Sequence, residues 1–165
     1  MSKAQAIIVM GVSGCGKSSV GRGLSRALGW PFYDGDNYHP QANLDKMARG
    51  IPLTDADRQP WLEALHNLIV ENLSEGRSLI LACSALKESY RRILQGGRTD
   101  VRFVHLEGSF ELIQARMQQR SGHYMKAGML RSQFEALEPP KEAFVFSIEP
   151  PVSEIVDKIV ATMID

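Results

Sequence analysis

The chain has 165 residues, and its 19 lysines and arginines balance its 19 aspartates and glutamates, so the formal net charge is zero. This balance counts against a general nucleic-acid-binding protein, because such proteins carry an excess of positive charge. Hydrophobic residues make up 44% of the chain and charged residues 23%, which excludes intrinsic disorder and predicts a single folded domain over residues 1–165.

The apolar segments are too short to span a bilayer. The first of them, Ala6–Met10, stops at a glycine and follows no basic leader, so we expect neither a membrane segment nor an export signal. Cys15 and Cys83 are too few for a disulfide framework and too far apart in sequence for a metal-ligand pair. These features predict a cytoplasmic protein.

Short apolar segments alternate with amphipathic segments along the whole chain. This alternation predicts an α/β fold with a five-stranded parallel sheet, and the continuous apolar runs predict strands that are buried on both faces. The predicted strands are Ala6–Met10, 31–34, 78–83, 101–106 and 143–148, and the predicted helices are Lys17–Leu28, 61–73, 86–94, 110–120 and 152–164. Apolar residues recur at helical spacing in the helix 61–73, so we expect that face to pack in the core.

The strongest chemical signal lies between the first strand and the first helix. Residues 11–18 read GVSGCGKS and fit the phosphate-binding pattern GxxxxGK[ST]. Glycines let the backbone wrap closely around a phosphate, and amides at the start of a helix present partial positive charge. We expect Lys17 to reach the β and γ phosphates of a nucleotide and Ser18 to ligate Mg²⁺. The candidate nucleotide-binding residues are Gly11, Val12, Ser13, Gly14, Cys15, Gly16, Lys17 and Ser18.

A phosphate loop indicates a nucleotide but not a reaction. Guanine-specific proteins usually carry NKxD and DxxG segments, and neither string occurs in the sequence. The third predicted strand is followed by Ser84, without the aspartate that many ATPases place there. An acid that handles the metal must therefore come from another part of the chain.

Asp34 and Asp36 follow the second predicted strand, at the edge of the sheet where ligands bind in this fold class. One carboxylate of such a pair can hold a metal-bound water while the other accepts a proton from a substrate hydroxyl. The sequence Asp-Gly-Asp-Asn is also good turn chemistry, which is the alternative interpretation.

The segment 34–61 is polar and rich in amide, imidazole and guanidinium groups, which suit a polyhydroxylated anion. It contains His39, Arg49 and Arg58, each of which is otherwise an ordinary surface or capping residue. Asp57 is predicted to cap the helix that contains Trp61, and this position is compatible with Arg58 facing the site.

Arg116 and Arg120 recur at helical spacing before a glycine-bearing segment, 121–128. These cations are suited to neutralise a transferring phosphoryl group from a lid that closes over the loop. A solvated basic helix end is the alternative interpretation.

Four blocks of the sequence together resemble the bacterial-type gluconokinases, which are small P-loop carbohydrate kinases. The blocks are GVSGCGKS, DGDNYHPQANLDKMARGIPLTDADRQPWL, CSALKESYRRIL and ARMQQRSGHYMKAGMLRSQFEALEPP, and the resemblance extends over nearly the whole chain. It implies a three-layer sandwich related to shikimate and nucleoside monophosphate kinases, with a substrate segment at about 34–61 and a mobile lid at about 120–138.

The resemblance also implies an activity: Mg²⁺-dependent transfer of the γ-phosphoryl of ATP to the 6-hydroxyl of D-gluconate, by a dimeric enzyme. Asp36 is then the base and Asp34 holds the metal shell. His39, Arg49, Arg58 and Lys87 are the implied gluconate contacts, and Arg116 and Arg120 act on the phosphoryl group, with Arg120 also a nucleotide contact.

Two other interpretations remain open at the level of the sequence. One is a small-molecule kinase for shikimate or a nucleoside monophosphate, and the other is a nucleotide-binding regulatory module without a sugar substrate. Cys15 stands where related loops commonly have serine, and its position beside Lys17 and a helix N-terminus predicts a reactive thiolate.

Overall fold

A five-stranded parallel sheet forms the centre of the computed structural model, which describes residues 3–119 and 127–164. The strand order is β2-β3-β1-β4-β5, and every neighbouring pair is parallel. The strands are β1 Ala6–Met10, β2 Phe32–Asp34, β3 Leu79–Ala82, β4 Val101–Glu107 and β5 Phe144–Ser147. The predicted fold class is confirmed, and each predicted strand matches an observed one.

Helices cover both faces of this sheet. They are α1 Lys17–Leu28, α2 Gln41–Ala48, α3 Asp55–Ser74, α4 Glu88–Gln95, α5 Phe110–Gln118, α6 Ala127–Ala136 and α7 Val152–Met163, with a 3₁₀ turn at Gly35–Tyr38. Successive side chains of a strand point to opposite faces, and β1 shows this division. Ile7 and Val9 pack in a core with α1 and α7, whereas Ile8 packs in a second core with α3 and α4. The result is a three-layer sandwich.

The helix predicted at 61–73 begins six residues earlier, at Asp55. Its N-cap is Thr54, whose hydroxyl accepts the backbone N–H of Asp57, and the Asp57 carboxylate accepts the N–H of Thr54 in return. Asp57 is therefore the third residue of the helix. The sequence prediction that Asp57 is the N-cap is wrong. The first turns of α3 carry polar residues and Pro60. They lack the apolar periodicity from which a helix could be predicted.

Three further elements differ from the sequence prediction. The helices α2 and α6 were not predicted, because their residues are mostly polar or small. The strand β5 is not buried on both faces as predicted, since it lies at the edge of the sheet with β4 as its neighbour. Val145 of this strand is 51% exposed.

The predicted absence of a membrane segment can be compared with the helices. In residues 3–119 and 127–164, no helix combines the length and the apolar character that crossing a membrane requires.

Candidate active site

The phosphate loop joins β1 to α1. Gly11, Gly14 and Gly16 have φ values of 148°, 81° and 99°, a region that favours glycine. A Cβ on Gly11 would also lie 2.9 Å from the carbonyl oxygen of Leu106. Cys15 is only 3% exposed, and its side chain belongs to the core that contains Val20 and Leu24 of α1.

Lys17 is the first residue of α1, and its ammonium bends back over the loop. Its Nζ donates to the carbonyl oxygens of Gly11 and Val12, each at 3.0 Å. These bonds hold the positive charge close to the loop backbone. Ser18 follows in the first turn of the same helix, with a half-buried side chain.

Asp34 ends β2, and Asp36 lies in the 3₁₀ turn that follows. The Oδ1 atom of Asp34 accepts the backbone N–H of Asp36 at 3.0 Å, so Asp34 caps this turn. Gly35 lies between them and is buried, and the indole N–H of Trp61 donates to its carbonyl oxygen at 2.7 Å. Helix α3 thus fixes the turn that carries both carboxylates.

The segments that carry the loop lysine and both carboxylates lie at the carboxyl end of β3, because Asp34 pairs with Ala82 in the sheet and the N–H of Gly11 donates to the carbonyl oxygen of Ser84. The thiol of Cys83, at the same end of β3, interacts electrostatically with Lys17, Asp34 and Asp36. Burial raises the pKa of this thiol to about 12, so Cys83 stays neutral and contributes no charge of its own. The sheet therefore brings together one cation and two carboxylates that lie far apart in sequence.

His39 follows the 3₁₀ turn and stacks on Trp61, with ring centroids 4.2 Å apart. The amide nitrogen of Asn43 lies 3.2 Å from His39 Nδ1 and also donates to the carbonyl oxygen of Asp57. Because an amide nitrogen only donates, Nδ1 accepts and the ring proton lies on Nε2. Burial lowers the pKa of His39, and the Asp36 carboxylate opposes that shift more than Arg58 adds to it.

Arg58 and Lys87 meet at the phenol of Tyr90. Arg58 donates to the Tyr90 hydroxyl at 3.1 Å, and this hydroxyl donates to the Asp55 carboxylate at 2.5 Å. Lys87 lies 3.2 Å from the same carboxylate oxygen. The hydrogen bond from Tyr90 is the main cause that lowers the pKa of Asp55, followed by the bond from Lys87. This arrangement is a small carboxylate-binding cluster.

The remaining predicted site residues are placed differently. Arg49 ends α2 through backbone hydrogen bonds, and its side chain is exposed. Arg116 lies in the last turn of α5, next to Met117, whose side chain packs against Gly14 of the loop. Arg120 and residues 121–126 of the predicted lid lie outside the described residues. The rest of that segment contains α6 and continues to Glu138.

Three residues that were not predicted as site residues take part in these contacts. Tyr90 and Asp55 complete the cluster around Arg58 and Lys87. The side chain of Gln133 contacts Ser13 of the phosphate loop with two hydrogen bonds. All three lie within the sequence blocks that carry the family resemblance, which is the signal that could have found them.

A separate concavity of about 690 Å³ lies between α4, the start of β4 and the segment 138–144. Its lining includes Arg91, Arg102 and Pro140 but no residue of the phosphate loop or of the segment 34–61. We therefore place the candidate active site at the loop and not in this concavity.

The chain is similar to known kinases over most of its length. A model of the shikimate kinase family matches residues 13–162. A probable gluconokinase of Rattus norvegicus is 48% identical over 158 residues, which cover 85% of this chain and 85% of that protein. A gluconokinase of Gluconobacter oxydans (strain 621H) is 48% identical over 138 residues, covering 84% and 78%. The crystal structure of a gluconokinase from Sinorhizobium meliloti 1021 superimposes with a TM-score of 0.86 at 42% identity, over 98% of this chain and 92% of that one.

Proposed function

The chain belongs to the shikimate kinase family and within it to the gluconokinases, and from this premise we propose that it phosphorylates D-gluconate at the 6-hydroxyl with ATP. The products are 6-phospho-D-gluconate and ADP. The observation that carries the proposal is that Lys17 follows the carboxyl end of β1 while Asp34 and Asp36 lie at the carboxyl end of β2, the two strands that flank β3 in the sheet. A phosphate-binding cation beside a carboxylate pair is the arrangement that phosphoryl transfer to a hydroxyl requires.

In the proposed reaction, Asp36 accepts the proton of the 6-hydroxyl as its oxygen attacks the γ-phosphorus. The new O–P bond forms while the bond between the γ-phosphorus and the β–γ bridging oxygen breaks, and ADP leaves. Asp36 is suited to this role because its carboxylate is exposed at the site, whereas one oxygen of Asp34 already caps the 3₁₀ turn. A positioned base contributes typically 10²–10⁴-fold to the rate.

The loop amides from Gly14 to Ser18 are proposed to cradle the phosphates, with the Lys17 ammonium on the β and γ groups. Mg²⁺ prefers oxygen donors, and the donors proposed for it are the Ser18 hydroxyl and the Asp34 carboxylate. Within residues 3–119 and 127–164, no group of three or more His, Cys, Asp or Glu side chains forms a metal site. The ion would therefore depend on phosphate oxygens and water, as is usual for Mg²⁺, and when bound it would neutralise phosphate charge.

The Arg58 and Lys87 cluster is proposed to bind the carboxylate of gluconate. Its support is chemical, since two cations and the Tyr90 hydroxyl already surround one carboxylate, that of Asp55. His39 is proposed to donate the proton on its Nε2 to a hydroxyl oxygen of gluconate. Arg49 is assigned to gluconate and Arg116 and Arg120 to the phosphoryl group on the family resemblance, with the segment 120–138 as the lid of one kinase domain.

The test is a coupled assay of ADP release with gluconate, shikimate or a nucleoside monophosphate as the acceptor. We expect ADP release to depend on gluconate and on Mg²⁺, and ³¹P NMR of the product to show a phosphate ester at carbon 6. Stimulation by shikimate or a nucleotide but not by gluconate would contradict the proposed acceptor. ADP release that no acceptor stimulates would indicate a regulatory module instead.

We also propose that the enzyme is a cytoplasmic homodimer, on the strength of the family resemblance. The cytoplasmic assignment is supported by the two cysteines, because Cys15 packs in the core on one face of the sheet and Cys83 in the core on the other. The two thiols are thus separated by the sheet. Light scattering of the purified protein is expected to give twice the mass of 18.3 kDa, and the mass of one chain would contradict the dimer.

A further inference from the structure

The side chain of Gln133 holds Ser13 of the phosphate loop from 120 positions away in the sequence. Its Oε1 atom accepts the backbone N–H of Ser13 at 2.7 Å, and its Nε2 atom donates to the Ser13 hydroxyl at 2.9 Å. A carboxamide is the side chain that offers an acceptor and a donor side by side. Gln133 therefore fixes both the backbone and the side chain of Ser13.

The segment after α6 is anchored to the other half of the site. Glu138 accepts the N–H of Glu88 with a carboxylate oxygen, and its own N–H donates to the carbonyl oxygen of Leu86, both at 2.8 Å. Its carbonyl oxygen accepts from Arg91 at 2.8 Å. Two of these contacts are with Leu86 and Glu88, which flank Lys87, one of the proposed gluconate contacts, in the sequence. Residues 133–138 thus connect the phosphate loop to the start of α4.

Packing keeps α6 in a defined position against α5. Leu130 is buried in the same core as Ile113, and the rings of Phe134 and Phe110 meet edge to face at 5.7 Å. The guanidinium of Arg131 lies 4.8 Å from the centroid of the Phe110 ring. A side chain on a helix that is held in this way has little freedom of its own. It can therefore position a neighbouring loop.

We propose that Gln133 is a positioning residue, which holds the phosphate loop at Ser13 so that the bound nucleotide is aimed at the acceptor beside Lys87. This inference deepens the proposed function and rests on it only for the identity of the acceptor. The two hydrogen bonds from Gln133 to Ser13 would affect any nucleotide that binds at the loop. Misplacement of reacting atoms by small distances lowers the rate of transfer strongly. The loss of Gln133 is therefore expected to affect turnover more than gluconate binding.

The first test replaces Gln133 by methionine, which has similar length but neither a donor nor an acceptor. Removing both hydrogen bonds is expected to lower kcat about tenfold, with KM for gluconate within about twofold of the unmodified enzyme. The matched control is Gln95→Met, because the Gln95 amide also bonds to a backbone group, the carbonyl oxygen of Val101 six residues along the chain, but outside the site. The control is expected to lower the thermal midpoint without changing kcat.

The second test is Gln133→Glu, which keeps both contacts because the Ser13 N–H and hydroxyl can each donate to a carboxylate oxygen. It also places a negative charge beside the loop that binds phosphates. Turnover at saturating ATP is expected to stay within about threefold of the unmodified enzyme. The dissociation constant for the β,γ-imido analogue of ATP is expected to rise about tenfold and to recover partly at high salt, because salt screens the repulsion.

If Gln133 positions the loop, Gln133→Met lowers kcat, whereas Gln133→Glu keeps kcat nearly unchanged and weakens the binding of the ATP analogue. A Gln133→Met enzyme that loses thermal stability but keeps its kcat, as the Gln95 control does, would overturn the proposal in favour of a purely structural role. Equal loss of kcat in both variants with unchanged binding of the analogue would overturn it too. The binding of the analogue is measured without any acceptor, so failure of gluconate as a substrate leaves this readout intact.

Discussion

At the scale of single residues, Asp34 and Asp36 show how neighbouring carboxylates acquire different tasks. Asp34 uses Oδ1 to cap the 3₁₀ turn, whereas the Asp36 side chain is exposed and its charge raises the pKa of His39 and of Cys83. The capping bond orients Asp34 and, through the turn, the backbone of Asp36. Removing the charge of Asp36 therefore tests chemistry with little damage to the turn.

Asp36→Asn is expected to lower kcat by at least about a hundredfold, because an amide cannot accept the proton of the acceptor hydroxyl. Binding of the ATP analogue, measured by calorimetry, is expected to persist. Asp45→Asn is the control, since Asp45 is an exposed residue of α2 that bonds to Gln41 on the same helix. Near-normal turnover of the Asp36 variant would contradict its role as the base.

Lys17→Ala is expected to lower kcat/KM by at least about a hundredfold, because it removes the ammonium proposed to meet the β and γ phosphates. It also removes the bonds from Nζ to the carbonyl oxygens of Gly11 and Val12. Lys158→Ala on α7 is the control, as its ammonium is exposed and pairs with Glu154 within the helix. Steady-state kinetics that show a large retained fraction of activity in the Lys17 variant would contradict the nucleotide site.

Cys15 illustrates a residue whose surroundings outweigh its sequence neighbours. Lys17 and the helix N-terminus predicted a reactive thiolate, but the side chain is 3% exposed and packs with Val20 and Leu106. A reagent cannot reach a thiol that is covered in this way, and reactive cysteines are typically accessible. The structure thus counts against the predicted reactivity.

At the scale of elements, the 3₁₀ turn Gly35–Tyr38 depends on close approach to β3. A Cβ on Gly35 would lie 2.8 Å from the carbonyl oxygen of Ala82, which belongs to the backbone and cannot move aside easily. The same glycine accepts the indole N–H of Trp61, so α3 presses the turn against the sheet. The position of both carboxylates is therefore determined by packing between elements.

Gly35→Ala is expected to destabilise the fold by about 1–3 kcal/mol, because the added carbon overpacks a buried contact. It is also expected to reduce kcat/KM, since the turn carries Asp36. Chemical denaturation and steady-state kinetics measure the two effects. Gly128→Ala in α6 is the control for stability, because a Cβ there meets no atom within 4 Å. Unchanged stability and activity of the Gly35 variant would show that the turn tolerates displacement.

The elements also show which local signals were sufficient. Strands and helices with continuous or periodic apolar residues, such as β1 and α1, have the predicted bounds. The polar helix α2 and the first turns of α3 had no such pattern, and they are held by contacts between them. Lys46 of α2 lies 2.8 Å from Asp57 of α3, and Asn43 donates to the Asp57 carbonyl oxygen. These contacts stabilise two helical segments that lack the apolar periodicity on which the prediction depended.

At the scale of the whole molecule, two histidines, the half-buried His39 and the buried His105, connect stability to pH. Burial is the largest cause that lowers the pKa of His39 and of His105 below 6.5. The unfolded chain therefore binds protons more readily than the native protein between those lowered values and 6.5. The free energy of unfolding falls as the pH decreases through this window and is unaffected by these groups above it.

We expect the free energy of unfolding, measured by urea titration, to decrease as the pH is lowered from about 7.5 to about 5.5. The His39→Gln variant is expected to show a smaller decrease, because glutamine can still accept from Asn43 but does not titrate. Asp57 acts in a separate window, since hydrogen bonds from Lys46 and Thr54 lower the pKa of its carboxyl from 3.8 to about 2. An equal pH dependence of the variant and the unmodified protein would contradict the assignment to His39.

The sequence by itself determined the α/β class, the phosphate loop and the family, because these are written in contiguous residues. Residues 11–18 need only a strand before them and a helix after them to form the loop. Asp34 and Asp36 could be predicted because they follow a strand that the sequence predicts, and ligands bind at the carboxyl ends of strands in a parallel sheet. The charge balance is likewise a property of composition, and it was available without any structure.

Only the tertiary structure decided which residues meet. The order of the sheet places β3 between β1 and β2. Lys17, which follows β1, and Asp36, which follows β2, therefore both act electrostatically on Cys83 at the end of β3. The packing of α3 against α4 unites Arg58 with Tyr90, and α6 brings Gln133 to Ser13. These pairs are separated by many residues, and their contacts arise from how whole elements fill the two cores. A local pattern carries no information about such distances, which is why the sequence indicated the parts of the site but not their assembly.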